Sequence, residues 1–223
     1  MAARRRRVAV LISGGGTNLQ ALIDACRREG SSAEIVRVVS DRPDAFGLTR
    51  AARASIPALA VDRRAHGSKA EFEAALQAAL EAAGAELVCL AGFMRVLSPG
   101  FVAAWRDRTL NIHPSLLPLF RGTRTHERAL AEGVLVHGCT VHYVVPELDA
   151  GPIIAQAAVP VVPGDTPDSL AARVLAQEHA LYPAALRMVC TGAVRLEEGR
   201  ALFREGWDGD AALLNPPRRV GGA

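Results

Sequence analysis

The chain of 223 residues is 50% apolar and 22% charged, with 20 glycines. That profile excludes a disordered body and supplies core enough for one large α/β unit or two joined halves. Its formal charge of +3 comes from the ends: Arg4 to Arg7 and Arg218 to Arg219 hold six of the 26 basic residues, leaving 20 against 23 acids, a net −3, for the body. Such a body lacks the basic excess of a nucleic-acid binder, and no apolar run nears the roughly 20 residues of a membrane span.

In chain order, RVAVLI at residues 7–12 is an apolar, β-branched run that predicts a buried strand. SGGGTN and the helical pattern LQALIDACRREG follow it. EIVRVVS predicts a second strand ending at Ser40, AFGLTRAARAS a helix, and ALAVD at residues 58–62 a third strand. An amphipathic helix is predicted over Ser68 to Ala83, and Glu86 to Ala91 reads as a central strand covered on both faces. This alternation implies a doubly wound, parallel α/β sheet with right-handed crossovers.

From residue 108 the character changes. RTLNIH reads as a strand with a polar end, and PSLLPLFRG as a proline-punctuated loop that no regular helix accommodates. VLVHGCTVHYVV, residues 134–145, alternates as a strand with two different faces. PIIAQAAVPVV repeats the signal, so the two are expected to pair as a hairpin-like extension of the sheet. A last helix is predicted from Pro167 to Val189, then a short charged segment. The division expected is a basic tail at 1–7, a single domain at 8–207 with halves 8–105 and 106–207, and a disordered tail at 208–223.

The four cysteines, Cys26, Cys89, Cys139 and Cys190, are far apart without a CxxC pair and read as reduced core thiols. Val8 to Ile12 is too short for the core of an export signal, which points to the cytoplasm. Lys69 is the single lysine among 26 basic residues, so an arginine here reflects composition before function.

Gly14, Gly15 and Gly16 lie between the first strand and first helix, where missing Cβ atoms let backbone N–H groups approach an anion. The loop is neither GxxxxGKS nor GxGxxG, because Asn18 and Leu19 occupy the third glycine's region. A phosphate monoester is therefore expected before a nucleoside triphosphate or dinucleotide. The plain alternative is a turn with Thr17 as helix N-cap.

Asn111 and His113 share one side of a strand's carboxyl end, where open α/β sheets bind ligands. An amide and an imidazole there can polarise a carbonyl, stabilise an oxyanion and deliver a proton to a leaving nitrogen. Asp149 follows 36 residues after His113, and one hairpin return could bring its carboxylate to the ring. A turn aspartate ahead of Gly151 is the other reading. His137 and His142 read as packed or hydrogen-bonded strand residues, and His66, His126 and His179 show no metal spacing.

Taken together, SGGGTNLQALIDA, LAGFMRVLSPGFV, LNIHPSLLP, HGCTVHYV, ELDAGPII and QEHALYP closely resemble the glycinamide ribonucleotide formyltransferases of purine biosynthesis, from Val8 to Val189. The resemblance implies a mostly parallel, seven-stranded twisted sheet flanked by helices, with a Rossmann-like amino-terminal half. It implies transfer of a formyl group from 10-formyltetrahydrofolate to the amine of a phosphoribosylated glycinamide, without metal or ATP. Asn111, His113 and Asp149 fall on the family's catalytic trio. Gly16, Thr17, Asn18 and Leu19 fall on its phosphate-binding stretch, and Glu178 on its ribose-binding glutamate. Met94, Arg95, Val96 and Leu97, with Val145, Pro146, Glu147, Leu148 and Asp149, map onto the pterin pocket, and Asn111 borders it. Lys69 replaces an arginine near the folate's glutamate tail, and Leu175 stands where some members carry a lysine. Thr123-Arg124 also replaces the usual hydrophobic-His pair before Thr125-His126.

Three other readings compete with this one. A methionyl-tRNA formyltransferase is expected to carry a further basic domain after the catalytic one, and a formyltetrahydrofolate hydrolase a regulatory domain before the first strand. A phosphate-metabolite-binding module with a dead site conflicts with the intact trio. The partners expected are the two small molecules, with no nucleic acid and no membrane, for a monomer or homodimer.

Overall fold

The computed structural model describes residues 4–204. Strand β1 (Arg6–Ile12) leads to α1 (Thr17–Cys26), β2 (Ala33–Ser40), α2 (Phe46–Arg53), β3 (Ala58–Ala60), α3 (Lys69–Ala82) and β4 (Leu87–Leu90). After α4 (Pro99–Ala104), β5 (Thr109–His113) and α5 (Thr125–Ala131) come β6 (Val136–Tyr143), β7 (Ile153–Pro160), α6 (Pro167–Cys190), β8 (Val194–Glu197) and β9 (Arg200–Phe203). Seven strands form one sheet in the order β3-β2-β1-β4-β5-β6-β7. β1 to β5 pair in parallel, whereas β6 runs antiparallel to both β5 and β7. The mostly parallel seven-stranded fold and the hairpin-like extension thus hold.

Period-2 geometry explains why the central strands read as unbroken apolar runs. Along β1, Val8, Val10 and Ile12 enter one core with Leu19, Leu22 and Tyr182, while Ala9 and Leu11 enter the opposite core with Phe72, Leu76 and Val88. Both faces are covered from Val8 to Ile12, so none of these five positions is polar. Tyr182 is fully buried on α6, and its hydroxyl meets the carbonyls of Leu90 and Leu110 at 3.1 Å each. That contact fixes α6 across β4 and β5. Cys26, Cys89 and Cys139 are buried free thiols and Cys190 is partly buried, and burial pushes the Cys26 thiol up to about 11.

Several boundaries differ from those expected. The arginines read as a tail enter the sheet at Arg6, with Arg4 paired to Glu86 and Arg5 to Glu34 at 3.0 Å. Strand pairing extends there because Glu86 also accepts the Arg7 backbone N–H at 2.9 Å. The charged segment after α6 forms the β8–β9 hairpin. Residues 205–207 of the expected domain and the tail at 208–223 lie outside the described residues. Helices α4 and α5, only 6 and 7 residues long, carry no periodic signal in the sequence. Among the described residues no helix is long and apolar enough to cross a membrane.

After β1 the chain builds β2 and β3 on one side and then returns to place β4 on the other. This reversal opens a crevice at the carboxyl ends of β1 and β4, the position where doubly wound sheets take ligands. The glycine loop leaves β1 there, and the loop 91–97 leaves β4. The two are tied by Ser13 N–H to the Gly92 carbonyl at 3.1 Å and Met94 N–H to Ser13 Oγ at 2.8 Å.

Candidate active site

The glycine loop turns into α1 through Gly16, whose φ of 69° lies in the left-handed region. Glycine is required on a second count: a Cβ here would stand 2.8 Å from the Cα of Gly47. Gly16 is thus the cap, and Thr17, the N-cap of the plain-turn alternative, is the first helical residue with no side-chain capping bond. The backbone N–H groups of Gly15, Gly16 and Thr17 make no hydrogen bond among the described residues. Free donors at the positive end of a helix suit an anion.

Asn18 and Leu19 diverge. Leu19 is fully buried in the core, so only its backbone faces the loop. Asn18 Nδ2 donates to Glu178 Oε2 at 2.6 Å, and both residues line one cavity. Burial pushes the Glu178 carboxyl up, and the Asn18 hydrogen bond opposes that shift. Asn18 Oδ1 is buried without a partner. The pair therefore offers acceptors in want of hydroxyl donors, as a ribose diol would supply.

Asn111 and His113 stand two residues apart on β5 and line the same cavity. His113 is 5% exposed, with Nε2 3.0 Å from the Phe120 carbonyl and Nδ1 3.4 Å from Asp149 Oδ2. A carbonyl only accepts, so Nε2 carries hydrogen. A bare Nδ1 would set its lone pair against a carboxylate. Each ring nitrogen therefore faces an acceptor. Asp149, at φ 50°, is held by the Gly122 N–H on Oδ2 at 2.8 Å, while its Oδ1 makes no hydrogen bond among the described residues.

His142 was expected as a hydrogen-bonded strand residue, and it is one, but it also belongs to this cluster. It pairs with Asn111 across β5 and β6, and its Nε2 lies 3.2 Å from Asn111 Nδ2 and 3.8 Å from Asp149 Oδ1. Its Nδ1 lies 2.9 Å from the Tyr143 carbonyl and so carries hydrogen. Burial is the main cause that lowers its pKa, with help from His113 and against Asp149. A neutral His142 thus accepts from Asn111 and fixes that amide with its second N–H free for a ligand. Only the antiparallel return of β6 could have flagged it.

The cavity encloses about 570 Å³. Met94, Arg95, Val96, Leu97, Val145, Pro146 and Leu148 line it, together with the apolar Leu90, Val102 and Ile112. Met94, Val96 and Leu148 are 70%, 65% and 53% exposed, an apolar rim of the kind that marks a binding surface. Arg95 is tied back to the buried Asp41 at 2.6 Å. Two expected residues stand apart from the wall. Glu147 is exposed and paired to Arg121 at 2.9 Å, and Lys69 lies on α3 with its ammonium 3.8 Å from Glu73. No group of His, Cys, Asp and Glu among the described residues could hold a metal ion.

His137 packs below the site, fully buried, with its ring 5.3 Å from His126 and 5.6 Å from Phe120. Burial, with a smaller part from His126, depresses it from 6.5 to about 4. Between those values the unfolded chain binds the extra proton, so this stability is present above about pH 6.5 and is lost as pH falls toward 4. Urea unfolding at both ends of the window should show wild type losing on the order of 2 kcal/mol more than His137→Phe. Equal losses would remove His137 from that role.

A crevice at the switch point, an anion loop and an amide–imidazole–carboxylate cluster define an enzyme of group transfer at a carbonyl. The family model of formyl transferases matches residues 6–186, and the chain belongs to that family. It is 45% identical over 194 residues to the phosphoribosylglycinamide formyltransferase of Escherichia coli (strain K12), covering 87% of this chain and 92% of the relative. It is 49% identical to the crystal structure of glycinamide ribonucleotide transformylase 1 from Symbiobacterium toebii, with TM-score 0.87 over 89% of this chain and 94% of that one. It is also 53% identical over 192 residues to the trifunctional purine biosynthetic protein adenosine-3 of Gallus gallus, covering 86% of this chain. The chain spans 19% of the length of that relative.

Proposed function

We propose that the protein transfers the formyl group of 10-formyltetrahydrofolate to the amino group of N1-(5-phospho-D-ribosyl)glycinamide, in de novo purine biosynthesis in the cytoplasm. One observation carries the reading: Asn18, which follows the phosphate-type loop into α1, lines the same cavity as Asn111, His113 and Asp149. The phosphoribosyl site draws on the glycine loop of the first half and Glu178 of the second, and the folate site on both halves around the catalytic residues of the second.

In this reading the phosphate takes the free N–H groups of Gly15, Gly16 and Thr17, and Glu178 with Asn18 takes the ribose hydroxyls. The apolar wall of Val96, Leu97, Val144 and Leu148 takes the flat pterin ring. Lys69 serves the glutamate end, outside that wall. The amine attacks the formyl carbon, and the oxygen of the tetrahedral intermediate gains charge. The free N–H of Asn111 and the positive ring of His113 stabilise that charge. A net proton passes from the amine to the departing folate nitrogen, and Asp149 Oδ1 is the unbonded carboxylate oxygen placed to accept it.

Absorbance of the folate tests the proposal directly. Deformylation only when the ribonucleotide is present establishes donor and acceptor together. Release without it would assign the hydrolase reaction instead, and no release under either condition would leave a binding module.

A further inference from the structure

The carbonyls of the glycine loop are all turned away from the crevice, and α2 does most of the turning. Gly47 N–H donates to the Gly14 carbonyl at 3.0 Å, and Arg50 Nε donates to the Gly15 carbonyl at 2.8 Å. Gln20 N–H, in α1, closes on Gly16 at 2.9 Å. With its carbonyls held, the loop presents its N–H groups on the other side.

Arg50 brings charge as well as a hydrogen bond. No carboxylate lies within ion-pairing distance of its guanidinium among the described residues, where its contacts are Gln20 Oε1 at 3.3 Å and the Phe46 ring at 5.1 Å. Arg50 lines a hollow of about 630 Å³ with Thr17, Gln20 and His179, so its charge stands at the first residue of α1. The carboxylate in that hollow, Asp24, accepts from Gln20 and not from Arg50. The field of Arg50 reaches His179, whose pKa is lowered by burial and then by this cation.

We infer that Arg50 is the positioning residue for the phosphate of the acceptor: it pins the Gly15 carbonyl out of the site and adds an unneutralised cation beside Thr17. The inference rests on the proposed acceptor being a phosphoribosyl compound.

The test compares Arg50→Ala, Arg50→Gln and Arg50→Lys with wild type on the phosphorylated acceptor and on its dephosphorylated riboside. For the ribonucleotide, Arg50→Ala should raise KM about tenfold or more, with kcat and the folate KM little changed. Against the riboside, kcat/KM should match wild type. Lysine should recover part of the loss through its charge, and glutamine less. Equal losses on both acceptors would mean that Arg50 only supports the fold, and an unchanged KM would also overturn the inference. If wild type formylates neither acceptor, the proposed function fails by itself. Calorimetry with ribose 5-phosphate then decides for Arg50, by weaker binding to Arg50→Ala or by equal binding.

Discussion

His113→Ala should lower formyl transfer by about a thousandfold while leaving affinity for the ribonucleotide nearly unchanged. The separation follows from the geometry. His113 sits at the end of β5 in contact with Asp149 and the Phe120 carbonyl, whereas the anchors proposed for the acceptor are the glycine loop and the Asn18–Glu178 pair. In the proposed mechanism alanine removes the ring that stabilises the oxyanion and leaves those anchors in place. Single-turnover kinetics read the chemical step, and calorimetry with the ribonucleotide reads the binding. Turnover equal to wild type would remove His113 from the chemistry. Parallel loss of binding and turnover would mean that the ring holds the site's shape instead.

Asp149→Asn should cost about a hundredfold in the chemical step while leaving affinity for the ribonucleotide nearly unchanged. The substitution keeps an oxygen for the Gly122 N–H but replaces the carboxylate 3.4 Å from His113 Nδ1 with a neutral amide. In the proposed mechanism it removes both the carboxylate beside the ring and the oxygen that takes the amine's proton. Single-turnover kinetics should show the loss, and calorimetry with the ribonucleotide should show none. Turnover equal to wild type would remove Asp149 from the chemistry. His142 is a second, neutral neighbour of this carboxylate at 3.8 Å, so His142→Asn serves as a control that removes an imidazole without removing the charge.

The strands of the parallel half were readable because burial on both faces demands unbroken apolar runs, and RVAVLI and LVCL have no other use. Asn111 and His113 were readable for a related reason, since period-2 spacing alone puts them on one side. Whether Thr17 or Gly16 caps α1 was not readable, because the choice depends on how closely α2 approaches, and Gly47 belongs to another element. The β8–β9 hairpin was missed because two four-residue strands with mixed exposure carry almost no periodic signal.

Local patterning within this chain, apolar runs, glycine placement and helical spacing, was enough to specify the strands of the main sheet, the longer helices and the candidate anion loop. The partner relationships were decided by folding: Asn18 to Glu178 across 160 residues, His142 to Asn111 across the antiparallel return, and Arg50 to the Gly15 carbonyl. Backbone periodicity states which face a side chain takes. It holds no information on which group, carried by a distant element, will meet that side chain there, because such contacts depend on how elements pack and turn. The Phe120 carbonyl on His113 is the extreme case, since a backbone oxygen has no residue type to read and is aimed only by the loop that carries it.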